Sequence, residues 1–343
     1  MDPVPLLQAL VRAAGKGPDA VLDELRRPLR EAGLSPRETR GSPRAVLWSR
    51  GAPRLVLSGH VDVVPEGEGW TRDPHGGELA EGRVWGRGAS DMLAGVAAFA
   101  AAAASTDAPC AILLTTDEET TMQAAQHALA EGLLRDAEAV VVGEPTSLEV
   151  GIAEKGVLWL TLTARGRNAH GSMPELGDNA AERLVRALHA IQGLRWEGEH
   201  PALGRATLNL GTLHAGEAVN QVPALATAKL DVRYLPGTSA RDVIGRLRDA
   251  AGEPVDIEVQ SDHAPFELEA DAPLARAAVR AAGTRALGLP YGTEASKFAP
   301  AGLPCVILGP GESPLAHTNR ESVRVDMVRR GVDVYVRLIE EYA

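Results

Sequence analysis

The sequence predicts an α/β protein with a mixed, mainly parallel sheet and a smaller α+β domain inserted into the chain. Before residue 150, short apolar runs typical of strands alternate with alanine-rich helical segments. Between residues 157 and 234 the strands alternate apolar with polar residues, and after Phe266 the first pattern returns. The 343 residues exceed what one ordinary domain needs, so we expect two domains.

The first part of the chain has the pattern of consecutive βαβ units. We predict helices at residues 92–105 and 121–134, and strands at residues 45–48, 54–58, 111–116 and 138–143. Apolar strands separated by helices pair in parallel and are covered on both faces. The sequence therefore predicts a buried parallel sheet in this part.

The middle of the chain has a period of two residues. Residues 157–164 read V-L-W-L-T-L-T-A, and residues 206–213 and 224–234 alternate in the same way. Helical segments are predicted at residues 179–191 and 240–251. Such alternation indicates an antiparallel sheet with one face in water.

The last part of the chain returns to helices and buried strands. We predict a helix at residues 273–287, a strand at 304–308 and a closing helix at 326–341. The middle therefore interrupts one α/β domain. We expect that domain to comprise residues 1–153 and 266–343, and the inserted domain to comprise residues 154–265.

Composition excludes several classes of protein. The 46 acidic and 35 basic residues give a net charge of −11, which disfavours a nucleic-acid partner. The longest apolar run, residues 96–104, is about half of the ~20 residues that a membrane helix needs. The two cysteines, Cys110 and Cys305, lie in or beside apolar runs and do not form a disulfide framework. We expect a cytoplasmic protein without nucleic-acid or membrane partners.

Residues able to bind a metal follow the ends of successive predicted strands. They are His60, Asp62, Asp91, Glu118, Glu119, Glu144 and His317. In open α/β sheets the ligand crevice lies at the carboxyl ends of the strands, so these side chains can converge. Imidazole and carboxylate together suit zinc, and also manganese or cobalt.

The acidic triplet Asp117-Glu118-Glu119 allows two interpretations. Adjacent negative charges at the end of an apolar strand repel one another unless a cation lies nearby. The alternative is an exposed acidic helix N-terminus, stabilised by the helix dipole. The other strand-end residues favour the cation.

Several motifs resemble those of the M20 family of metallopeptidases and deacylases. In the first half these are S-G-H-V-D-V-V-P, G-R-G-A-S-D-M, T-T-D-E-E and G-E-P-T, beginning at Ser58, Gly86, Thr115 and Gly143. Later come R-G-R-N-A-H-G-S-M-P, Y-G-T-E-A and G-P-G-E-S-P-L-A-H-T-N-R-E, beginning at Arg165, Tyr291 and Gly309. These later motifs are similar to the acetylornithine deacetylase and succinyl-diaminopimelate desuccinylase branch. The resemblance implies a zinc-peptidase-like catalytic domain with an inserted lid and dimerisation domain.

The resemblance also implies a centre of two metal ions. Asp91 would bridge the ions, His60 and Glu144 would bind one, and Glu119 and His317 would bind the other. Zinc is the first expectation, with cobalt or manganese as alternatives.

Further catalytic roles follow from the same resemblance. Glu118 would be the general base, and Asp62 would orient the His60 ring. His170 of the lid would reach the active site of the second subunit in a homodimer, although a solvent-facing histidine in a polar turn is the competing interpretation. The run Met92–Gly95 lacks the Lys-Gly of many relatives, which concerns the helix start and no ligand.

Three residues are expected to select the substrate. Asn220 and Arg233 resemble family residues that bind the substrate backbone and its carboxylate, a group that the planar guanidinium suits. A solvated strand arginine is the alternative for Arg233. Glu294 in G-T-E-A resembles the acetylornithine deacetylase version of this segment and could favour a cationic side chain.

The expected function is metal-dependent hydrolysis of the amide bond of an N-acyl amino acid, in amino-acid biosynthesis. N-acetylornithine and N-succinyl-diaminopimelate come first; carrier-protein-linked lysine or ornithine and dipeptides follow. A non-catalytic binding protein on this fold is disfavoured, because every ligand and Glu118 are present. A nucleotide-dependent enzyme is disfavoured as well, because Gly86 and Gly88 lack the third glycine of a dinucleotide fingerprint.

Overall fold

The computed structural model describes residues 1–196 and 198–343. They form two compact units. The first unit comprises Met1–Ile152, Leu268–Gly288 and Thr293–Ala343, and the second comprises Ala153–Glu267 and Leu289–Gly292.

The helices and strands are numbered in chain order. The α-helices are α1 (Pro3–Ala14), α2 (Pro18–Glu31), α3 (Leu93–Ala103), α4 (Gln123–Ala130), α5 (Ala180–Gln192), α6 (Ala240–Ala251), α7 (Pro273–Ala282), α8 (Ala295–Phe298) and α9 (Val325–Glu341). The first nine strands are β1 (Ser35–Glu38), β2 (Ala45–Arg50), β3 (Leu55–His60), β4 (Glu78–Ala80), β5 (Arg83–Trp85), β6 (Cys110–Thr115), β7 (Ala139–Pro145), β8 (Val150–Glu154) and β9 (Gly156–Arg165). The remaining strands are β10 (Ala169–His170), β11 (Thr207–Ala215), β12 (Gln221–Val222), β13 (Leu225–Tyr234), β14 (Val255–His263), β15 (Phe266–Glu267), β16 (Ala286–Leu289), β17 (Cys305–Gly309) and β18 (Ser322–Arg324).

The central sheet of the first unit has the order β1-β2-β6-β3-β7-β17-β8. The inner strand pairs β6–β3, β3–β7 and β7–β17 are parallel, which confirms the predicted mixed, mainly parallel sheet. All residues of these four strands are buried.

The first predicted strand does not run parallel to the others. β2 pairs antiparallel with β6, so the expectation of parallel pairing was wrong for residues 45–48. Only residues 51–54 separate β2 from β3. A parallel crossover needs a dozen or more residues, and the chain must therefore reverse its direction here.

Helix α3 packs closely against the central sheet. All of its residues are buried, and most are alanine. A Cβ atom at Gly95 would lie 2.4 Å from the Gly143 carbonyl oxygen of β7. One turn further along the same face of the helix, Phe99 contacts the ring of Tyr335 in α9, with centroids 4.7 Å apart. Small side chains thus bring the start of α3 close to the strand ends.

A small sheet of three strands lies beside this arrangement in the first unit. Its order is β18-β5-β4, and Ser322 of β18 pairs antiparallel with Trp85 of β5. The loop from Gly86 to Asp91 leaves β5, and Glu321 directly precedes β18. Two chain segments far apart in sequence are therefore adjacent here.

The second unit contains a four-stranded antiparallel sheet of order β11-β13-β9-β14. Apolar side chains of β9 and β13 pack with helices α5 and α6, whereas Trp159 on the opposite face is half exposed. The short strands β10 and β12 also pair antiparallel. None of the helices in the described residues is both long and apolar enough to span a membrane.

Several helical regions differ from the prediction. The helix expected over residues 273–287 ends at Ala282, because Gly283 has φ +62° and closes the helix in the left-handed conformation. Residues 286–289 form β16 instead. The helix expected over 121–134 is shorter, Gln123–Ala130. Helices α1, α2 and α8 were not predicted.

Candidate metal centre

The candidate metal centre lies in the first unit, where the central strands end. His60 is the last residue of β3 and Glu144 lies near the end of β7. Glu118 and Glu119 follow β6, His317 follows β17, and Asp91 precedes α3. The structure thus brings together residues from both ends of the chain, as expected for the carboxyl edge of a parallel sheet.

Asp91 lies between two imidazoles. Its Oδ1 is 3.3 Å from His60 Nε2, and its Oδ2 is 3.3 Å from His317 Nε2. His60 Nε2 is also 3.6 Å from Glu144 Oε1, and His317 Nε2 is 3.0 Å from Glu119 Oε1. Within each group, His60-Asp91-Glu144 and Asp91-Glu119-His317, the ligand atoms lie within 4.8 Å of one another.

These residues fit a pair of divalent cations. Two imidazoles and three carboxylates form a donor set suited to zinc, cobalt or manganese. The pKa of Glu144 is raised well above its ordinary value, first by burial and then by the negative charge of Asp91. A cation in this position would relieve both effects.

Asp91 and the two histidines attract one another strongly. Burial alone would raise the pKa of Asp91, but hydrogen bonds with His317 and His60 lower it. Hydrogen bonds to Asp91 and Glu119 raise the pKa of His317 to about 10. Burial would lower the pKa of His60, but Asp91 and the charge of Glu144 raise it well above its ordinary value. Metal binding here therefore competes with protons.

The residues of the acidic triplet lie in two different environments. Asp117 accepts hydrogen bonds from the amides of Gln123 and Ala124, at 2.8 and 2.9 Å, at the start of α4. The helix-terminus interpretation thus describes the contacts of Asp117, but this residue is buried and not exposed as that interpretation expected. Glu118 and Glu119 instead have carboxylate oxygens within 4.8 Å of the His60 ring nitrogens.

Asp62 contacts His60 differently from the expectation. His60 Nδ1 is 2.9 Å from the backbone carbonyl oxygen of Asp62, but 3.6 Å from its carboxylate. The carboxylate instead accepts the backbone N–H groups of Glu118 and Glu119, at 3.2 and 3.0 Å. The carbonyl of Asp62 therefore orients the His60 ring, and its carboxylate holds the acidic loop.

Glu294 is buried in the first unit. It is 1% exposed, and its Oε2 accepts a hydrogen bond of 3.3 Å from the Ser58 hydroxyl. Burial raises its pKa to about 7. A carboxyl without access to solvent does not favour the expected contact with a cationic side chain.

The other predicted residues lie in the second unit. His170 is exposed, and its Nδ1 accepts a 3.1 Å hydrogen bond from the amide of Ser172, so the ring proton belongs on Nε2. Asn220 is adjacent, because its carbonyl accepts the amide of Gly171 at 2.7 Å. The Arg233 guanidinium donates to both carboxylate oxygens of Asp231, at 2.8 and 3.0 Å, and is therefore already paired.

Two charged residues near the centre were missed. Arg87 and Glu321 form a buried ion pair beside the Asp91 loop. Both occur inside motifs already quoted, G-R-G-A-S-D-M and G-P-G-E-S-P-L-A-H-T-N-R-E. The signal was a charged residue inside each of these motifs, but sequence alone does not pair residues so far apart.

Comparison with known proteins agrees with this geometry. The sequence pattern of peptidase family M20/M25/M40 matches residues 56–341. A probable succinyl-diaminopimelate desuccinylase of Staphylococcus epidermidis is 32% identical, covering 85% of this chain and 84% of that protein. The acetylornithine deacetylase of Vibrio atlanticus is 34% identical, covering 84% of this chain and 81% of that protein.

Solved structures share the fold. An M20 family metallo-carboxypeptidase from Sulfolobus solfataricus superposes with a TM-score of 0.80 at 18% identity, covering 100% of this chain and 99% of that one. A dinuclear metal binding peptidase of the M20 family from Bacillus subtilis gives 0.67 at 15% identity, covering 92% and 90%.

The fold and the strand-end cluster define a metal-dependent hydrolase. This chain belongs to peptidase family M20/M25/M40.

Proposed function

We propose that this hydrolase cleaves the amide bond of an N-acyl amino acid. The placement of Asp91 between His60 and His317 is the observation that carries this proposal, because one carboxylate faces two candidate metal positions. The names of the curated relatives point to N-acetylornithine and N-succinyl-diaminopimelate as the first substrates to test.

Five residues would hold the metal ions. His60 and Glu144 would bind one ion, Glu119 and His317 the other, and Asp91 both. We propose zinc first, with cobalt or manganese as alternatives. Two divalent ions supply activation of water and polarisation of the amide carbonyl.

Glu118 is the proposed general base. Its carboxylate lies beside His60, and burial together with the charges of Glu119 and Asp91 raises its pKa well above the ordinary value. A raised pKa suits a group that accepts a proton from the attacking water and then donates it to the leaving amine. The carboxylate of Asp62 holds the Glu118 amide and so positions this base.

His170 is the proposed oxyanion donor, acting in the partner subunit of a homodimer. The Ser172 amide donates to its Nδ1, so the proton of the neutral ring lies on the exposed Nε2, from which it can donate to a developing negative charge. The edge strand β11 is mostly exposed and is available for a second copy. We further propose that Asn220 and Arg233 bind the substrate backbone and carboxylate, which requires Arg233 to exchange Asp231 for substrate.

Dipeptides are a second candidate substrate class, because a human carnosine dipeptidase shares the fold over 99% of this chain. Carrier-protein-linked lysine or ornithine is the third candidate substrate class. We place the reaction in the cytoplasm, where the buried thiols of Cys110 and Cys305 would stay reduced.

Metal analysis followed by a substrate panel tests this proposal. We expect two divalent ions per chain, release of free amine from an N-acyl amino acid, and loss of activity on chelation that returns with added zinc. Glu118→Gln is the control for contaminating hydrolases. Cleavage of dipeptides alone would favour the second class, and undiminished activity of metal-free protein would refute the metal centre.

A further inference from the structure

A buried ion pair lies next to the candidate metal centre. Arg87 is 2% exposed and Glu321 is fully buried, and their side chains are in direct contact. Arg87 also donates to the carbonyl oxygen of Glu66 at 3.2 Å, and its guanidinium lies 5.3 Å from the centre of the Trp70 ring. Arg87 is thus fixed on several sides.

The second oxygen of Glu321 faces the loop that carries Asp91. Glu321 Oε1 accepts the backbone N–H groups of Ser90 and Asp91, at 3.0 and 3.1 Å. The Glu321 carbonyl accepts the Gly86 amide at 3.1 Å, so its own backbone is held by the same loop. One carboxylate therefore fixes the peptide groups on either side of Ser90 Cα.

This pair also links two candidate ligands along the chain. Arg87 lies four residues before Asp91, and Glu321 lies four residues after His317. Removing two charges from water is costly, and apolar replacements of buried ion pairs are often equally stable. Stability alone therefore does not account for charged residues at these two positions.

We propose that Glu321 is a positioning residue for the Asp91 carboxylate and that Arg87 compensates the buried charge of Glu321. This inference rests on the proposed role of Asp91 as the bridging ligand. Glu321 touches neither substrate nor metal in this arrangement. It acts by fixing the backbone amides from which the Asp91 side chain extends.

Two matched double variants separate positioning from stability. Arg87→Met with Glu321→Gln removes both charges but keeps a side-chain oxygen that can accept hydrogen bonds from the backbone N–H groups of Ser90 and Asp91. Arg87→Met with Glu321→Leu removes the acceptor as well. We expect zinc affinity, measured by equilibrium dialysis against a competing chelator, to fall about 10- to 100-fold in the Leu variant and to stay near wild type in the Gln variant. With zinc bound, kcat should fall more than KM rises.

Arg50→Met is the control for a purely structural arginine. Arg50 donates to the carbonyl oxygens of Thr106 and Ala108, at 2.6 and 2.8 Å, away from the centre. We expect it to lower the melting temperature of metal-free protein without changing zinc affinity. If the Leu variant fails to fold, Glu321→Asp replaces it, because the shorter side chain withdraws the acceptor and should weaken zinc binding too.

The outcomes distinguish this inference from the proposed function. Equal zinc affinity in the Gln variant and the variant that lacks the acceptor would overturn the positioning role. A wild-type chain that binds fewer than two zinc ions, or whose affinity is unchanged by Asp91→Asn, would instead overturn the proposed metal centre.

Discussion

Three consecutive acidic residues, Asp117, Glu118 and Glu119, have three different environments. The Asp117 carboxylate accepts hydrogen bonds from backbone amides at the start of α4, and the Glu119 carboxylate contacts His317. The Glu118 carboxylate lies beside His60. Burial and the surrounding negative charges raise the pKa of Glu118. Neighbours in sequence thus lie in environments that suit a helix cap, the proposed base and a proposed metal ligand.

Substitutions at Glu118 and Glu119 should therefore have different effects. We expect Glu118→Gln to bind metal nearly as wild type but to lose turnover by about 10²- to 10⁴-fold, because only the proton carrier is removed. Glu119→Gln should weaken metal binding as well. Metal content and kcat are measured in parallel. Equal metal loss in both variants would show that the two roles are wrongly assigned.

Glu294 makes stability depend on pH. Burial raises its pKa to about 7 from an ordinary value of 4.5, so the folded chain binds more protons than the unfolded chain between these values. The contribution of the protonated Glu294 carboxyl to the free energy of unfolding is fully present below pH 4.5 and is lost as pH rises through 7. The advantage of Glu294→Gln over wild type should therefore grow from pH 5 to pH 8.

Urea unfolding of metal-free protein at pH 5 and pH 8 measures this difference. Glu24→Gln, at an exposed position of α2, is the control and should show no comparable change. A stability difference between Glu294→Gln and wild type that is independent of pH would contradict a buried, protonated Glu294.

At the scale of elements, the contact between α3 and β7 brings the Asp91 loop close to the strand ends. Gly95 and Gly143 lie so close that a Cβ at Gly95 would approach a backbone oxygen to 2.4 Å. A backbone atom of a central strand moves little, so the helix must shift instead. The position of α3 and the position of the Asp91 side chain are therefore coupled.

Gly95→Ala should therefore destabilise the protein by about 1–3 kcal/mol through overpacking. Gly245→Ala is the matched control, because it also lies within a helix, α6, but its Cβ would meet no atom within 4 Å. At position 245, alanine should raise the free energy of unfolding by about 0.5–1 kcal/mol. Denaturant unfolding compares both variants. A Gly95→Ala protein as stable as wild type would argue against the close helix contact.

At the scale of the whole molecule, the candidate metal residues lie in the first unit and His170 lies in the second. If His170 acts in the partner subunit, a dimer with His170→Ala in one chain and Glu118→Gln in the other contains one complete site. Each variant alone should be nearly inactive, and the mixture should recover activity. Verified subunit exchange without recovered activity would exclude action between subunits.

Much of the fold follows from local patterns. Apolar runs such as Leu55–Leu57 predict buried strands, and the ends of these strands indicate where polar ligands accumulate, because both features depend on neighbouring residues. The antiparallel direction of the strand Ala45–Arg50 did not follow from its own residues, since the choice between parallel and antiparallel pairing depends on the length of the connection to the next strand. The end of α7 at Gly283 was missed because glycine permits both helix continuation and helix termination.

The sequence by itself determined the class of the protein and the chemical types at its site, because motifs and strand-end positions are properties of contiguous residues. Only the tertiary structure decided that Asp91 faces two histidines, that the carbonyl of Asp62 contacts His60, and that Glu294 is buried. It also paired Arg87 with Glu321, which lie 234 residues apart. Such contacts arise from the packing of distant segments, and local sequence carries no information about that distance.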